Sequence, residues 1–445
     1  LAASAARRLR LLPGRKNFSE HTPRSRVKRG GRISVRCECR ETRGASLCLP
    51  GLFWNWIMPF PLKNRLLRWE YWFLWTPIIL YLPFVFLGYG ADSDSYETLR
   101  TGTTFIADFD YIPSRNPGYF VFEVITFLAN SIGGSIATNV MSVLMSAVCL
   151  YGFYRLCRAL SLPNSSYLAL ALAFHPYYWV ASTTTMDYVF ALGFFFLGVS
   201  LLLDGKRPIF AGIAFSLAVG CRLTTVLLVI LALVLLVSAR LISLKVAAAS
   251  IALTAIFAAV FYIPPLDFVK WRWWRIFKPV MGEGGYWSLY LRAGRFFYKN
   301  IVFWSAPILL YLIGMIVYFL LKRVKIEGSP FGLMTPSFLI VIAYEIMFFF
   351  VPLDPSYLLA GLPFALIIIG VLLFDRKKML LVFLSLVLLS NFIVVTFAGP
   401  DVENFATGAS YGLWLEPGYL IEATRERMKV MDCADLTCYE TIMQR

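Results

Sequence analysis

Residues 88–119, GYGADSDSYETLRTGTTFIADFDYIPSRNPGY, follow directly on an apolar segment at 71–89. The stretch holds four aspartates in two tight pairs, Asp92/Asp94 and Asp108/Asp110, followed by Arg115 and a Pro-Gly turn. Carboxylates packed this densely beside a membrane span are costly to place, so they point to function. The stretch is read as an outer loop, with the rest of the chain as its scaffold.

Working outward, the chain is 59% hydrophobic and 15% charged, against about 25% charged in a soluble domain. Apolar runs of about 20 residues separated by short basic loops predict an all-α, polytopic transmembrane bundle. About eleven spans are expected, near 71–89, 134–154, 165–181, 187–203, 208–221, 224–239, 246–265, 301–321, 336–351, 357–374 and 379–397. Of the formal net charge of +16, residues 1–57 carry +10. The core is therefore only mildly basic, and a nucleic-acid partner loses its main support. Residues 1–57 are Arg-rich, without helical period, and are expected to be a disordered or mistakenly translated extension, with a transit peptide as the alternative. Residues 58–398 form the expected membrane domain and 399–445 a short extracytoplasmic tail.

Basic residues set the orientation. With Lys63, Arg65 and Arg68 in the cytoplasm, the inside loops carry Arg155/Arg158, Lys206/Arg207, Arg240/Lys245, Lys322/Arg323/Lys325 and Arg376/Lys377/Lys378. Most acids of residues 58–445 then fall outside, and Glu345 alone falls within a span. An acid there is a functional candidate, and a protonated carboxyl hydrogen-bonded to a neighbouring helix is the preferred reading of Glu345. His175, before Pro176, reads as structural.

One outer loop, 269–299, is itself basic. Lys270, Arg272, Arg275 and Lys278 are interleaved there with Trp271, Trp273 and Trp274. It reads either as an interfacial segment lying on lipid headgroups or as a phosphate clamp. Residues 119–131 are too short to span before Gly133-Gly134. Their stripe of Glu123, Thr126 and Asn130 predicts a helix lying in the outer interface. Cys433 and Cys438 can pair if the tail is outside the cytoplasm, whereas Cys37 and Cys39 have no second pair at a zinc-like spacing.

Asp92-Ser93-Asp94 beside a span suits chemistry at headgroup depth. One carboxylate serves as base toward an acceptor hydroxyl, and Arg or Lys stabilises a departing phosphate. Two carboxylates could instead hold a divalent metal, though no metal or other cofactor is required. Asp110 belongs to a second candidate pair.

Several segments resemble the GT-C superfamily of membrane glycosyltransferases, in the branch of protein O-mannosyltransferases and aminoarabinose lipid A transferases. They are GADSDSY ending at Tyr96, SRNPGYFVFE at 114–123, FHPYYWVASTTTMDYVFAL at 174–192, AGIAFSLAVGCRLT at 211–224 and PLDPSYLLAGLPFALI at 352–367. The resemblance implies Asp94 as base or acceptor-positioning residue, with Asp92 next. It also implies a substrate role for Tyr357 in the Tyr-Leu-Leu signature. Relatives often carry Arg before that signature, where this chain has Ser356. The phosphate contacts then shift to Arg115, Arg222 and the cations Lys270, Arg272 and Arg275.

The expectation is thus a GT-C-like, inverting glycosyltransferase. It would move a sugar from a polyprenyl-phosphate donor to a lipid, glycan or protein acceptor. The site would lie on the non-cytoplasmic face of a membrane, expected to be a prokaryotic plasma membrane. The alternative is a transporter or flippase of a lipid-linked glycan, which would be expected to place charge near the bilayer midplane.

Overall fold

The computed structural model describes residues 71–108, 111–205, 207–274, 289–322, 331–399 and 411–443. They are mostly helical, with one two-stranded antiparallel sheet. The sheet corrects the all-α expectation. The eleventh expected span, 379–397, ends as the helix Lys377–Leu389, and Ile393–Ala398 continues as a strand paired with Tyr411–Pro417. The β-branched run Ile393, Val394, Val395 and Thr396 favours that extended backbone.

Among the described residues three helices are long and apolar enough to cross a membrane: Phe120–Ala159, Asp187–Gly205 and Leu244–Phe261. A fourth is added if Leu289–Trp304 and Ala306–Leu321, bent by 88°, count as one span. The expected count of about eleven is therefore not reached by helix length. Five further apolar helices are shorter, among them Pro208–Cys221 and Thr225–Ser238. The expected span at 165–181 is two helices, Ser165–Ala173 and Pro176–Thr183. Pro176 has no N–H to continue the first helix, and its fixed φ suits the first position of the second. The freed carbonyl of Phe174 accepts a hydrogen bond from Asn391 Nδ2 at 2.6 Å.

The core is built on Phe120–Ala159 packed against Asp187–Gly205. Glycines let these helices approach. A methyl group on Gly152 would sit 2.6 Å from the Phe196 carbonyl oxygen, and one on Gly193 2.8 Å from that of Met145. Close helix contact through small residues is the packing mode that operates when lipid surrounds the bundle. Away from the core, large apolar side chains face outward, as with Ile256 and Leu320.

The Phe120–Ala159 helix breaks at Gly133 (φ −159°, ψ 27°) and Gly134 (φ 59°, ψ −147°). Before the break, Glu123 and Thr126 are buried and Asn130 Oδ1 accepts from the Tyr89 hydroxyl at 2.7 Å. The polar stripe seen in the sequence thus turns inward, toward the aspartate stretch. Residues 411–443 are folded too. Tyr419–Val430 packs on Pro176–Thr183, and Leu436–Met443 packs on Ser93–Asp108.

Candidate active site

The aspartate stretch is largely a helix, Ser93–Asp108, rather than the loop the sequence suggested. Gly88, at φ +70°, turns the chain into it. Asp92 caps its start: the Oδ1 atom accepts from the Asp94 backbone N–H at 3.0 Å, satisfying a donor the helix cannot. Asp94 occupies the first turn, where a negative charge is favoured by the exposed N–H groups.

Past the helix, Arg115 enters a tight turn in which its carbonyl accepts from Gly118 N–H at 2.7 Å. Its guanidinium donates to Asp94 Oδ2 at 2.5 Å through Nη1 and to Asp187 Oδ1 at 3.0 Å through Nη2. Arg222 follows the small-residue helix Pro208–Cys221 and donates to the other Asp187 oxygen, Oδ2, at 2.7 Å. Four charges therefore run in series, Asp94–Arg115–Asp187–Arg222. Asp187 is fully buried, whereas the Asp94 side chain keeps 30% of its surface in solvent. Aromatic rings cover the cations. Arg115 lies 4.5 Å from the Tyr119 ring centroid, and Arg222 lies 4.1 Å from that of Tyr188 and 4.9 Å from that of Tyr357.

Burial pushes the Asp94 carboxyl up to about 6; Arg115 pulls against this, and the charges of Asp92 and Asp187 add to the rise. Asp94 thus sits where a general base works near neutral pH. Asp92 lines a cavity of about 290 Å³ together with Tyr188, Asp354 and Tyr419. The Tyr188 hydroxyl donates to Asp354 Oδ2 at 3.3 Å, and burial raises the Asp354 carboxyl. A second cavity, of about 600 Å³, adjoins it.

The structure joins Asp94, Arg115, Arg222 and Tyr357 in one cluster, with Asp92 at its edge. It also changes what the two arginines are. They already share Asp187, and their charges are balanced by two carboxylates. Lys270 and Arg272 are exposed, at a turn where Lys270 and Trp271 both have positive φ, and lie outside this network. Asp110 and Arg275 lie outside the described residues. Glu345 accepts from Asn300 Nδ2 at 3.1 Å, the helix-to-helix hydrogen bond expected of it. His175 packs on Phe303, ring centroids 4.3 Å apart. Among the described residues no three His, Cys, Asp or Glu side chains converge as a metal site.

In the sequence Asp187 shows only as an acid at the head of an apolar run, which the structure makes a 19-residue helix. Arg427 was missed altogether. It is 2% exposed and has no carboxylate partner among the described residues. Its Nη2 donates to the carbonyls of Phe84 at 2.8 Å and Thr183 at 2.9 Å, and its Nε to that of Leu87 at 3.3 Å. Those carbonyls close the two segments that lead into Asp92/Asp94 and Asp187. Burial draws the Arg427 guanidinium down to about 10. Two tyrosines fix the same corner: Tyr96 donates to the Val430 carbonyl at 3.2 Å and Tyr439 to that of Ala91 at 3.1 Å. Cys433 and Cys438 form a disulfide between these contacts.

Comparison of the chain with protein-family models, with curated proteins and with solved structures finds no match.

Proposed function

We propose that this chain is a polytopic membrane glycosyltransferase of GT-C type, using a polyprenyl-phosphate sugar and acting at the non-cytoplasmic face. The observation that carries the reading is the charge series itself. It places one partly exposed carboxylate, Asp94, at the end of a buried Arg–Asp–Arg chain, beside a tyrosine-lined cavity.

In the proposed step the acceptor hydroxyl gives its proton to Asp94. The acceptor oxygen forms a bond to the anomeric carbon from the face opposite the phosphate. The bond from that carbon to the phosphate oxygen breaks, and its electron pair leaves with the lipid phosphate. Such a displacement inverts the anomeric centre. Once Asp94 has taken the proton, Arg115 and Arg222 outnumber Asp187 by one charge, and that net positive charge, held in place by Asp187 and the tyrosine rings, stabilises the departing phosphate. Asp92 orients the first turn that carries Asp94.

The distribution of charge favours the transferase over the transporter. Asp187 opens the Asp187–Gly205 helix, and Asp204, paired with Arg155, lies near its far end. That places the two clusters about 26 Å apart along the axis, with no charged residue between them on this helix. A carrier working by alternating access is expected to hold its ionisable groups midway.

The test is sugar release from a panel of radiolabelled polyprenyl-phosphate sugars, in membranes expressing residues 58–445. Wild type is expected to release sugar from one donor and Asp94→Asn to lose that release at equal protein level. Equal release by both would remove Asp94 from the mechanism.

A further inference from the structure

The larger cavity, of about 600 Å³, is lined by none of Asp94, Arg115, Asp187 and Arg222. Its volume is that of a small-molecule site, about 300–1,000 Å³. One side is built by Asp354 with Tyr298 and Lys299; the other is built by the C-terminal segment, through Glu416, Tyr419 and Glu422. Tyr177 and Tyr419 stack face to face, centroids 4.1 Å apart and planes 14° apart. This stack borders both cavities, as do Asp354, Glu422 and Glu426. A ligand in the larger cavity therefore meets the one that holds Asp92 across the tyrosine pair.

The lining chemistry narrows the ligand. Among the described residues four carboxylates, Asp354, Glu416, Glu422 and Glu426, and two cations, Lys299 and Arg425, line the cavity; Glu426 is itself paired with Lys429 at 2.8 Å, so carboxylates exceed cations by one. The lining offers an anion no excess of positive charge. Burial raises both the Asp354 and the Glu416 carboxyls. A hydrocarbon chain would strand these polar groups. A sugar presents hydroxyls as donors to carboxylates and an apolar C–H face to a tyrosine ring. Amino substituents would add charge-assisted hydrogen bonds.

We propose that this cavity binds a carbohydrate chain that is uncharged or carries amino groups, as the acceptor of the transfer. The acceptor role rests on the transferase reading; the sugar site itself is measured without it.

The experiment uses the full chain in lipid nanodiscs and saturation-transfer NMR with titration. Four probes are compared: trimers of N-acetylglucosamine, of glucosamine and of galacturonic acid, and trilysine. Both glucosamine-type trimers are expected to bind, and the galacturonic acid trimer is not. Tyr419→Ala is expected to weaken sugar binding about tenfold, through loss of ring contact. Glu422 is exposed, so Glu422→Gln keeps the fold. It is expected to cost the glucosamine trimer about threefold more than the N-acetylated one. No sugar binding, equal binding of the galacturonic acid trimer, tighter binding of trilysine, or indifference to both variants would each overturn the proposal. Sugar binding through Tyr419 without any donor-sugar release would leave this site standing and refute the transferase. Release that depends on Asp94, without trimer binding, would do the reverse.

Discussion

Replacing Asp187 by Asn keeps the shape of the side chain and removes the one charge shared by two arginines. Asp187 is fully buried and bonded at 3.0 and 2.7 Å to guanidiniums whose side chains are 18% and 11% exposed. Removing one member of a buried ion pair costs about 3–5 kcal/mol, because the partner charge stays buried. Here Arg222 loses its carboxylate and Arg115 keeps Asp94 alone. The folded-to-unfolded ratio should fall by about a hundred- to several-thousand-fold. The control is Asp204→Asn at the other end of the same helix. Asp204 is exposed, so removing its charge leaves Arg155 within reach of water, and the cost is expected to be about 1 kcal/mol. Both variants would be heated in detergent and the surviving monodisperse fraction read by fluorescence-detected size exclusion. A second readout follows from Asp94. The charge of Asp187 helps to hold that carboxyl up, and without it Arg115 is freed to stabilise the ionised form. The acid limb of sugar release should therefore move below the wild-type value in Asp187→Asn. Equal stability of the two variants, or an acid limb that moves up, would refute the reasoning.

In the wild type, activity should fall as pH drops through about 6, where Asp94 takes up a proton, as a pH–rate profile would show. Fold stability should move the opposite way through this group: its folded value is raised, so the cost of burying the carboxylate is present above about 6 and relieved below it. Arg427→Ala leaves the carbonyls of Phe84 and Thr183 without this donor. At about 1–3 kcal/mol for each unsatisfied group, a loss of about 3 kcal/mol is expected in the same heating assay. Gly88→Ala would force a side chain into positive φ, with its Cβ 2.9 Å from Met431 Cα. Limited proteolysis should then cut within residues 431–443 faster than in wild type.

What the sequence made legible follows from the reach of each interaction. Asp94 and Arg115 lie in one continuous stretch, and the Gly133-Gly134 break and the inward stripe of Glu123, Thr126 and Asn130 are local patterns. Asp187 and Arg222 were visible as residues but not as a pair, since nothing in a linear reading says that 35 positions apart means 2.7 Å. An apolar run does not show helix length where a proline divides it, as at Pro176. The strand at Ile393–Ala398 was hidden because a short β-branched apolar run reads equally as the end of a span. Arg427 was hidden by its neighbours. In TRERMK it passes for a surface cation, although its spacing from Leu420, Ala423 and Val430 sets it on the buried face of the helix.

The corner that presents Asp92 and Asp94 is tied down by partners more than 330 positions away: Val430 for Tyr96, Arg427 for Phe84 and Tyr439 for Ala91. The charge series, by contrast, closes over separations of 21, 72 and 35 residues. Contacts near in sequence close before distant ones. The costly charges can thus neutralise one another while the chain is still being made, and the corner that aims Asp94 is locked only after residues 427–439 have been synthesised and folded back. A chain that stops before residue 427 would keep every residue of the charge series and lack the contacts that fix the corner.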